Sequence, residues 1–565
     1  LQPFRESVIE SGAEVTADDD AANYGPSAVL SPDGSRLAFL GRDSEICVRR
    51  LDEGKAACLA GTAGARDPFF SPDGQWIAFF TATQLKKVPA GGGAVVPLVD
   101  VESDRGGAWA EDGTVYFTTQ RGPVQRVADT GGKPQPLTRL DLDDREVTQR
   151  WPQTLDHGRM VLYTAHTTAG GFEEAFGVLR DLRTGRRKVV HRGGFHYRYL
   201  PSGHIVYISL AGLYALPFDL ARMQANLEPN AAPTKILENV ANQPQTGGAQ
   251  ISVANNGSFL YVPAESLGTS VISWMDRAGK TEPLLNRPDH YFGLSLSPDG
   301  TRVAYGLSDG RQSSIGIYDP KLDAPAQPIP VTGASAPLWT PNGRRIVYTT
   351  SNNIFWQRAD GTGVAQSLTR SPNVQVPESW HPSGKILAFR EFVPGNHNDI
   401  KILRLRGDEA AGWTPEEPTT YLDNKADEFG AAFSPDGRWL AYTSDGAGKY
   451  QVYVRPFPGP GMPWQVSMQG GMLPVWSRHG SQILFRALDG RIMAATWALH
   501  DGLFETEQAT EWTSGVPLDM GQVRGFDLPP DGRRLAAITQ APGQTERRLM
   551  LALNFFDEVR RRTGR

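Results

Sequence analysis

One phrase recurs along the whole chain and decides more than any other feature what it can fold into. It reads Ser31-Pro32-Asp33-Gly34 followed by Arg36-Leu37-Ala38-Phe39, then Ser71-Pro72-Asp73-Gly74 followed by Trp76-Ile77-Ala78-Phe79, and it returns at Ser297 to Gly300, Thr340 to Gly343 and Ser434 to Gly437. Weaker copies fill the gaps, so that the closing glycines are Gly34, Gly74, Gly113, Gly158, Gly203, Gly257, Gly300, Gly343, Gly384, Gly437, Gly480 and Gly532. These twelve copies are spaced by about 45 residues, the length of one small β-sheet repeat. In the phrase, Pro presets φ at the second turn position, Asp or Asn caps the turn and Gly accepts positive φ, which makes it a hairpin turn. The residues after it are apolar, β-branched or aromatic, as in Arg345-Ile346-Val347-Tyr348 and Trp439-Leu440-Ala441-Tyr442. That composition predicts a buried strand.

A third strand, such as Gln451-Val452-Tyr453-Val454-Arg455, and a fourth after a polar turn complete each repeat. Four short antiparallel strands per repeat predict a propeller blade. The fold expected is therefore all-β, with two consecutive six-bladed β-propellers over residues 1–285 and 286–565, because propellers usually have four to eight blades. The boundary is expected at residues 280 to 290. The last repeat lacks a fourth strand, so Pro3 to Val8 is expected to supply the outer strand of blade six, and Thr281 to Leu285 that of blade twelve, leaving Asp557 to Arg565 as a charged tail.

Several phrases extend the pattern beyond the turn. They are Arg150-Trp151-Pro152-Gln153, Arg198-Tyr199-Leu200-Pro201-Ser202-Gly203-His204, Leu216-Pro217-Phe218-Asp219, Trp274-Met275-Asp276-Arg277, Val452-Tyr453-Val454-Arg455-Pro456-Phe457-Pro458 and Leu553-Asn554-Phe555-Phe556-Asp557-Glu558. On these the chain resembles the TolB-like propeller repeat family, and more closely the extracytoplasmic propeller tail of bacterial serine/threonine-kinase-like receptors. The resemblance implies a sensor or scaffold region, periplasmic or at the cell surface. No kinase motif is present: there is no Gly-rich phosphate loop with a paired Lys, no His-Arg-Asp loop and no Asp-Phe-Gly. The chain begins at Leu1 rather than Met, as an excised or processed piece would.

The formal charge of -5 gives no basic footprint, which argues against nucleic acid as a partner. No apolar run reaches the length of a membrane span. The two cysteines, Cys47 and Cys58, flank a tight turn at Asp52-Glu53 that would set them opposite each other. A cross-strand disulfide, stable in an oxidising compartment, and two buried thiols both fit.

Zincin, hydrolase-elbow, Cys-x-x-Cys and phosphate-loop signatures are missing, and neither a cofactor nor a metal is expected. A functional site would instead gather residues from several repeats. Residues entering each innermost strand supply the candidates: Arg66, Asp67, Asp104, Arg105, Glu146, Arg150, His196 and Arg198, with Tyr24 and Gln250 beside them. Guanidiniums on packed loops are suited to a carboxylate, phosphate or sugar acid, while Arg–Asp pairing between repeats would explain the same residues without a ligand. The second half offers Asp289, His290, Tyr291, Gln375, Glu378, Asp427, Glu428 and Arg524, whose carboxylates could attract a cation or stand solvated. The histidines in the turn phrase, His157, His381 and His479, read as turn residues. Recurrent Trp109, Trp151, Trp380 and Trp476 read as packing between repeats. The expected function is binding of a small anionic or polyhydroxylated ligand or of a protein partner, more a module than an enzyme. The alternative is a motif-free hydrolase or lyase acting on a glycan or lactone.

Overall fold

The computed structural model describes residues 3–564 apart from 10–24, 42–43, 82, 102–103, 120–121, 168–171, 210–211, 226–231, 244–245, 265–268, 309–312, 323, 326–328, 330, 332, 394–396, 409–411, 423–424, 460, 479, 519 and 542–547. Tyr24 and His479 lie outside the described residues. Each turn phrase joins the first two strands of a sheet, as Ser31 to Gly34 joins Ala28–Leu30 to Arg36–Leu40, with Ile46–Arg50 and Ala56–Cys58 following in order. The local chemistry is that of a side-chain-locked turn. Gly34, at φ 73°, donates its N–H to Ser31 O at 2.8 Å, the Ser31 hydroxyl donates to Asp33, and the Arg36 N–H returns to Ser31 Oγ at 2.9 Å. The same bonds recur at Ser71 and Asp73, Ser297 and Asp299, and Ser434 and Asp436.

The described residues form twelve antiparallel sheets of four or five strands and one two-stranded pair. Each sheet is a discrete ladder that shares no strand pair with the next, and only single bonds such as Trp151 N–H to Arg105 O at 2.9 Å cross between neighbours. This corrects the expectation of two closed six-bladed β-propellers: what the repeat specifies here is a series of separate small sheets, because the turn phrase determines pairing within a repeat and carries nothing that closes one repeat onto another. The apolar residues that follow each turn are buried between neighbouring sheets, as in the cluster of Ala38, Leu40 and Ile46 with Ile77, Phe79 and Val88.

Two compact units are present, one of residues 1–268 with 543–565 and one of 269–542. The division expected at 285/286 therefore falls at 268/269, and the end of the chain returns to the first unit. The cause is strand pairing. In the first unit, Ile251–Val253 and Phe259–Tyr261 are completed by Leu549–Leu553 and then by Arg5–Ile9. In the second, Phe526–Asp527 and Leu535–Gln540 are completed by Ser270–Met275 and Thr281–Asp289. The N-terminal strand thus pairs with Leu549–Leu553, and Ser270–Met275, expected as the third strand of the sixth repeat, belongs to the twelfth. The supposed charged tail is a helix, Phe555–Thr563, whose Phe555 stacks on Phe259 with ring centroids 4.1 Å apart.

The register sets Cys47 directly opposite Cys58, and the two are joined by a disulfide. Among the described residues, no helix is long and apolar enough to cross a membrane.

Candidate functional site

A feature invisible in the turn phrase positions the side chains of the first unit. The first strand of several sheets carries a register shift, between Arg66 and Phe69, Arg150 and Gln153, and Phe195 and Arg198. At each shift one residue is left-handed: Asp67 at φ 46°, Trp151 at 55° and His196 at 55°. Non-glycine residues in this region are strained by about 1 kcal/mol or more and concentrate at functional sites. A bulge re-aims a side chain that regular alternation would send elsewhere.

The six first strands of the unit, Ala28–Leu30, Arg66–Phe70, Gly107–Trp109, Glu146–Leu155, Phe195–Leu200 and Ile251–Val253, all line one cavity of about 590 Å³. Its wall is mixed, with apolar and aromatic Leu30, Phe69, Trp109, Tyr199 and Ile251 beside polar Glu111, Gln153, His157 and Asn255. Asp67, Trp151 and Arg198 supply its polar and aromatic floor. Trp151 is fully buried, its ring 5.4 Å from the His196 ring, with Nε1 donating to Thr246 O at 3.3 Å. It fits only because Gly25 and Gly106 leave room: a Cβ there would stand 2.5 Å and 2.6 Å from the indole.

Of the eight candidates, Asp67 and Arg198 line the cavity. Arg198 Nη1 donates to Trp151 O at 2.7 Å and to Tyr197 O at 3.1 Å, and loss of solvent pulls its guanidinium down to about 10. Asp67 accepts the Gly25 N–H on Oδ1, while Oδ2 and both Asp104 oxygens are buried without a hydrogen-bond donor. Burial, then the neighbouring Asp104 charge, drives the Asp67 carboxyl well above the usual carboxylate range. Burial also raises Asp104, against the pull of Arg66 and Arg105. His196 is buried, and burial, aided by Arg198, holds it well below the usual imidazole range, so it is neutral. Arg105 donates to Asp104 O. Arg150 donates to Thr246 O at 2.8 Å and lies over the Phe172 ring at 4.5 Å. Glu146 is turned away into an ion-pair network, 2.6 Å from Arg187, which also holds Asp144 at 2.8 Å. Gln250 is committed to Ser27 and to Gly25 O.

The four arginines therefore do not converge on one space as four free forks. Arg150 and Arg198 grip backbone carbonyls, and only Arg198 reaches the cavity. Sequence reasoning missed Trp151 as the floor, having read it with Trp109 as packing. The distinguishing signal, a left-handed tryptophan between Gly25 and Gly106, exists only in three dimensions.

In the second unit a smaller cavity of about 60 Å³ lies among Leu294, Leu338, Val376 and Leu473, with Glu378, Arg390 and Arg524 at its edge. Glu378 is satisfied, accepting from Gly430 N at 2.8 Å, Ala431 N at 2.7 Å and Arg390 Nη1 at 3.3 Å. Asp427 accepts from Asn398, Tyr450 and Gln522 at 2.8 to 2.9 Å. Gln375 bonds Thr369 and Glu391, Tyr291 bonds Arg287 O, and His290 is exposed. Among the described residues no group of three or more His, Cys, Asp or Glu side chains is placed to hold a metal. Glu378 and Asp427, two of the carboxylates that looked suited to a cation, are occupied by protein donors instead.

No family model matches the chain. An uncharacterized peptidase, YuxL of Bacillus subtilis, is 26% identical over 207 residues, covering 28% of this chain and 31% of that protein. The chain thus spans about a third of the length of that curated relative. Among solved structures, a putative TolB from Agrobacterium tumefaciens covers 49% of this chain and 99% of its own, at 18% identity and a TM-score of 0.37. The tricorn protease covers 93% of this chain and 63% of its own, at 12% identity and a TM-score of 0.31. TolB from Acinetobacter baumannii covers 72% and 81% at 14% identity and 0.28. Likenesses this weak do not carry the TolB-like assignment or the receptor-tail one, and both are withdrawn; the phrases that suggested them, from Arg150-Trp151-Pro152-Gln153 to Leu553-Asn554-Phe555-Phe556-Asp557-Glu558, do not establish a family by themselves.

Proposed function

We propose that the first unit binds a small anionic or polyhydroxylated ligand in its 590 Å³ cavity, with the polar end of the ligand against Arg198. The observation that supports this is Arg198 itself, a guanidinium at the floor of a cavity walled by aromatic and polar side chains together. Such sites owe affinity to the walls and orientation to a few polar groups. Of the four arginines Arg198 alone reaches the cavity, and burial pushes the one carboxyl beside it there, Asp67, toward its neutral form, so the charge presented at the floor is positive. A protein partner would cover the mouth and leave the floor unused. The Cys47–Cys58 disulfide supports an extracytoplasmic setting.

The test is a thermal-shift screen of sugar acids, sugar phosphates and neutral sugars, followed by calorimetry. Arg198→Gln should weaken binding of any hit by tenfold or more, whereas Arg438→Ala, at an exposed turn, should leave it unchanged. Undiminished affinity in Arg198→Gln sinks the reading.

A hydrolase or lyase acting on a glycan or lactone in the same cavity is favoured by one observation, the Asp67 carboxyl that keeps its proton above the usual range, as a general acid must. The relative from Bacillus subtilis is likewise named as a peptidase. Turnover of a polysaccharide, lactone or peptide panel, lost in Asp67→Asn, would decide for it.

A further inference from the structure

Asp67, which lines the cavity, and its neighbour Asp104 are at 4% and 1% exposure, with three of their four carboxyl oxygens lacking any donor. Two ionised carboxylates cannot share such a place, because each loses its hydration and meets the other's charge. A single proton held between them resolves both costs, since it supplies the missing donor. The groups that face the pair among the described residues are Arg66 and Arg105 beside Asp104, Arg105 and Arg198 beside Asp67, and the Gly25 N–H. His196 is buried and neutral, so it adds no charge.

We propose that the Asp67–Asp104 pair is a proton-linked gate for the anion at Arg198: the ligand class is a carboxylate such as a sugar acid, and it binds only while the pair carries its proton. This rests on the reading that an anion binds at Arg198. With the proton held between the two carboxyls, Asp67 is a neutral neighbour of the guanidinium and leaves the Arg198 charge to an incoming carboxylate. Without it, Asp67 is itself the anion paired with Arg198 and competes with the ligand. The sign follows. An anion at the floor strengthens the pair's hold on its proton, so binding takes up as much as one proton above the pair's titration, and affinity falls there by up to tenfold per pH unit.

The probe is D-galacturonate, with its methyl ester as the neutral control and the full chain as the protein. Calorimetry in buffers of different ionisation enthalpy should record proton uptake for galacturonate and none for the ester. Asp67→Asn should bind galacturonate without that pH dependence, and Asn is acceptable in a left-handed position. Should Asp67→Asn not fold, Asp104→Asn and the wild-type proton count give the same reading. Binding of galacturonate with no proton exchange and a flat pH profile overturns the gate and leaves the ligand site standing. No binding of either probe at any pH overturns both.

Discussion

Arg5 and Leu553 lie opposite each other in an antiparallel ladder, at the start of a register that runs to Ile9 and Leu549. The two ends of the chain thus complete one sheet, and Asn554 Nδ2 adds a bond to Pro3 O at 2.9 Å. Deleting residues 1–9 removes one edge strand and should cost the first unit on the order of 3 kcal/mol in ladder bonds. Deleting 543–565 takes away buried Leu549, Ala552, Phe555 and Val559, a loss comparable with a domain's whole stability. Hydrogen exchange resolved by segment should show the first unit opening in both variants, and unfolded in the second, with residues 269–542 unchanged. Equal loss of protection in both units would refute the pairing.

Much of the local fold was legible because the turn phrase is local physics. Ser31, Asp33 and Gly34 specify a hairpin by bonds within a few residues, so strand pairs within repeats could be read directly. The partners of Ser270–Met275 and Arg5–Ile9 could not be, since both pair with strands more than 250 residues away and an apolar strand alone does not name its neighbour. The site divides in the same way. Arg198 and Asp67 were found because they enter the innermost strand of their repeats, whereas Glu146 looked equivalent and is held by Arg187 from the far edge strand of its own sheet. The bulges at Asp67, Trp151 and His196 shift alternation by one residue, which no reading of period two can anticipate.

The Cys47–Cys58 disulfide closes a short loop, with a sequence separation of 11. Chain-entropy arguments assign such a bridge about 3 kcal/mol. Reduction, or replacement of both cysteines by Ala, should lower the unfolding free energy of the first unit by that amount, read as a lower urea midpoint, and leave the second unit unaffected. An unchanged midpoint would show that the bridge contributes nothing to stability.

The turn aspartates make an acid-sensitive set. Hydrogen bonds from Ser31 and Ser35 hold Asp33 down to about 2, and those from Ser297 and Thr301 hold Asp299 down to about 2. A carboxyl held below its unfolded value contributes stability that is full above that value, near 4, and is lost as the pH falls toward 2. Melting temperature should therefore decline between pH 4 and 2, and Asp33→Asn with Asp299→Asn should flatten that decline. A decline of unchanged steepness in the double variant would place the acid sensitivity elsewhere.

Asp67 works in the opposite sense. Its carboxyl is held above the unfolded value, so the folded state binds the proton more tightly, and stability drops as the pH rises through the folded titration. Asp67→Asn should remove that alkaline-side decline while keeping the acid-side decline of the turns. Chemical denaturation of the first unit across the pH range separates the two, and a wild-type profile that stays level on the alkaline side would mean the pair is already ionised.

Glu378 presents the case of a buried charge that is fully partnered. Its carboxylate receives two backbone N–H groups and the Arg390 guanidinium, and Arg390 is itself buried, with Nη1 also donating to Gln522 O at 3.0 Å. Taking the carboxylate away leaves that guanidinium without its counter-charge and two amides without an acceptor. Breaking a buried pair from one side typically costs 3–5 kcal/mol, so Glu378→Ala should destabilise the second unit by about 4 kcal/mol. Glu378→Gln keeps one oxygen as an acceptor and should cost less, because the amides retain a partner and only the charge is lost. Replacing Arg390 by Met together with Glu378→Gln removes the orphaned charge, and should recover part of the loss if charge rather than packing is the cause. Denaturant midpoints of the three variants test the order, and a double variant no more stable than Glu378→Gln alone would assign the cost to packing around Phe429, whose ring lies 5.7 Å from the Arg390 guanidinium.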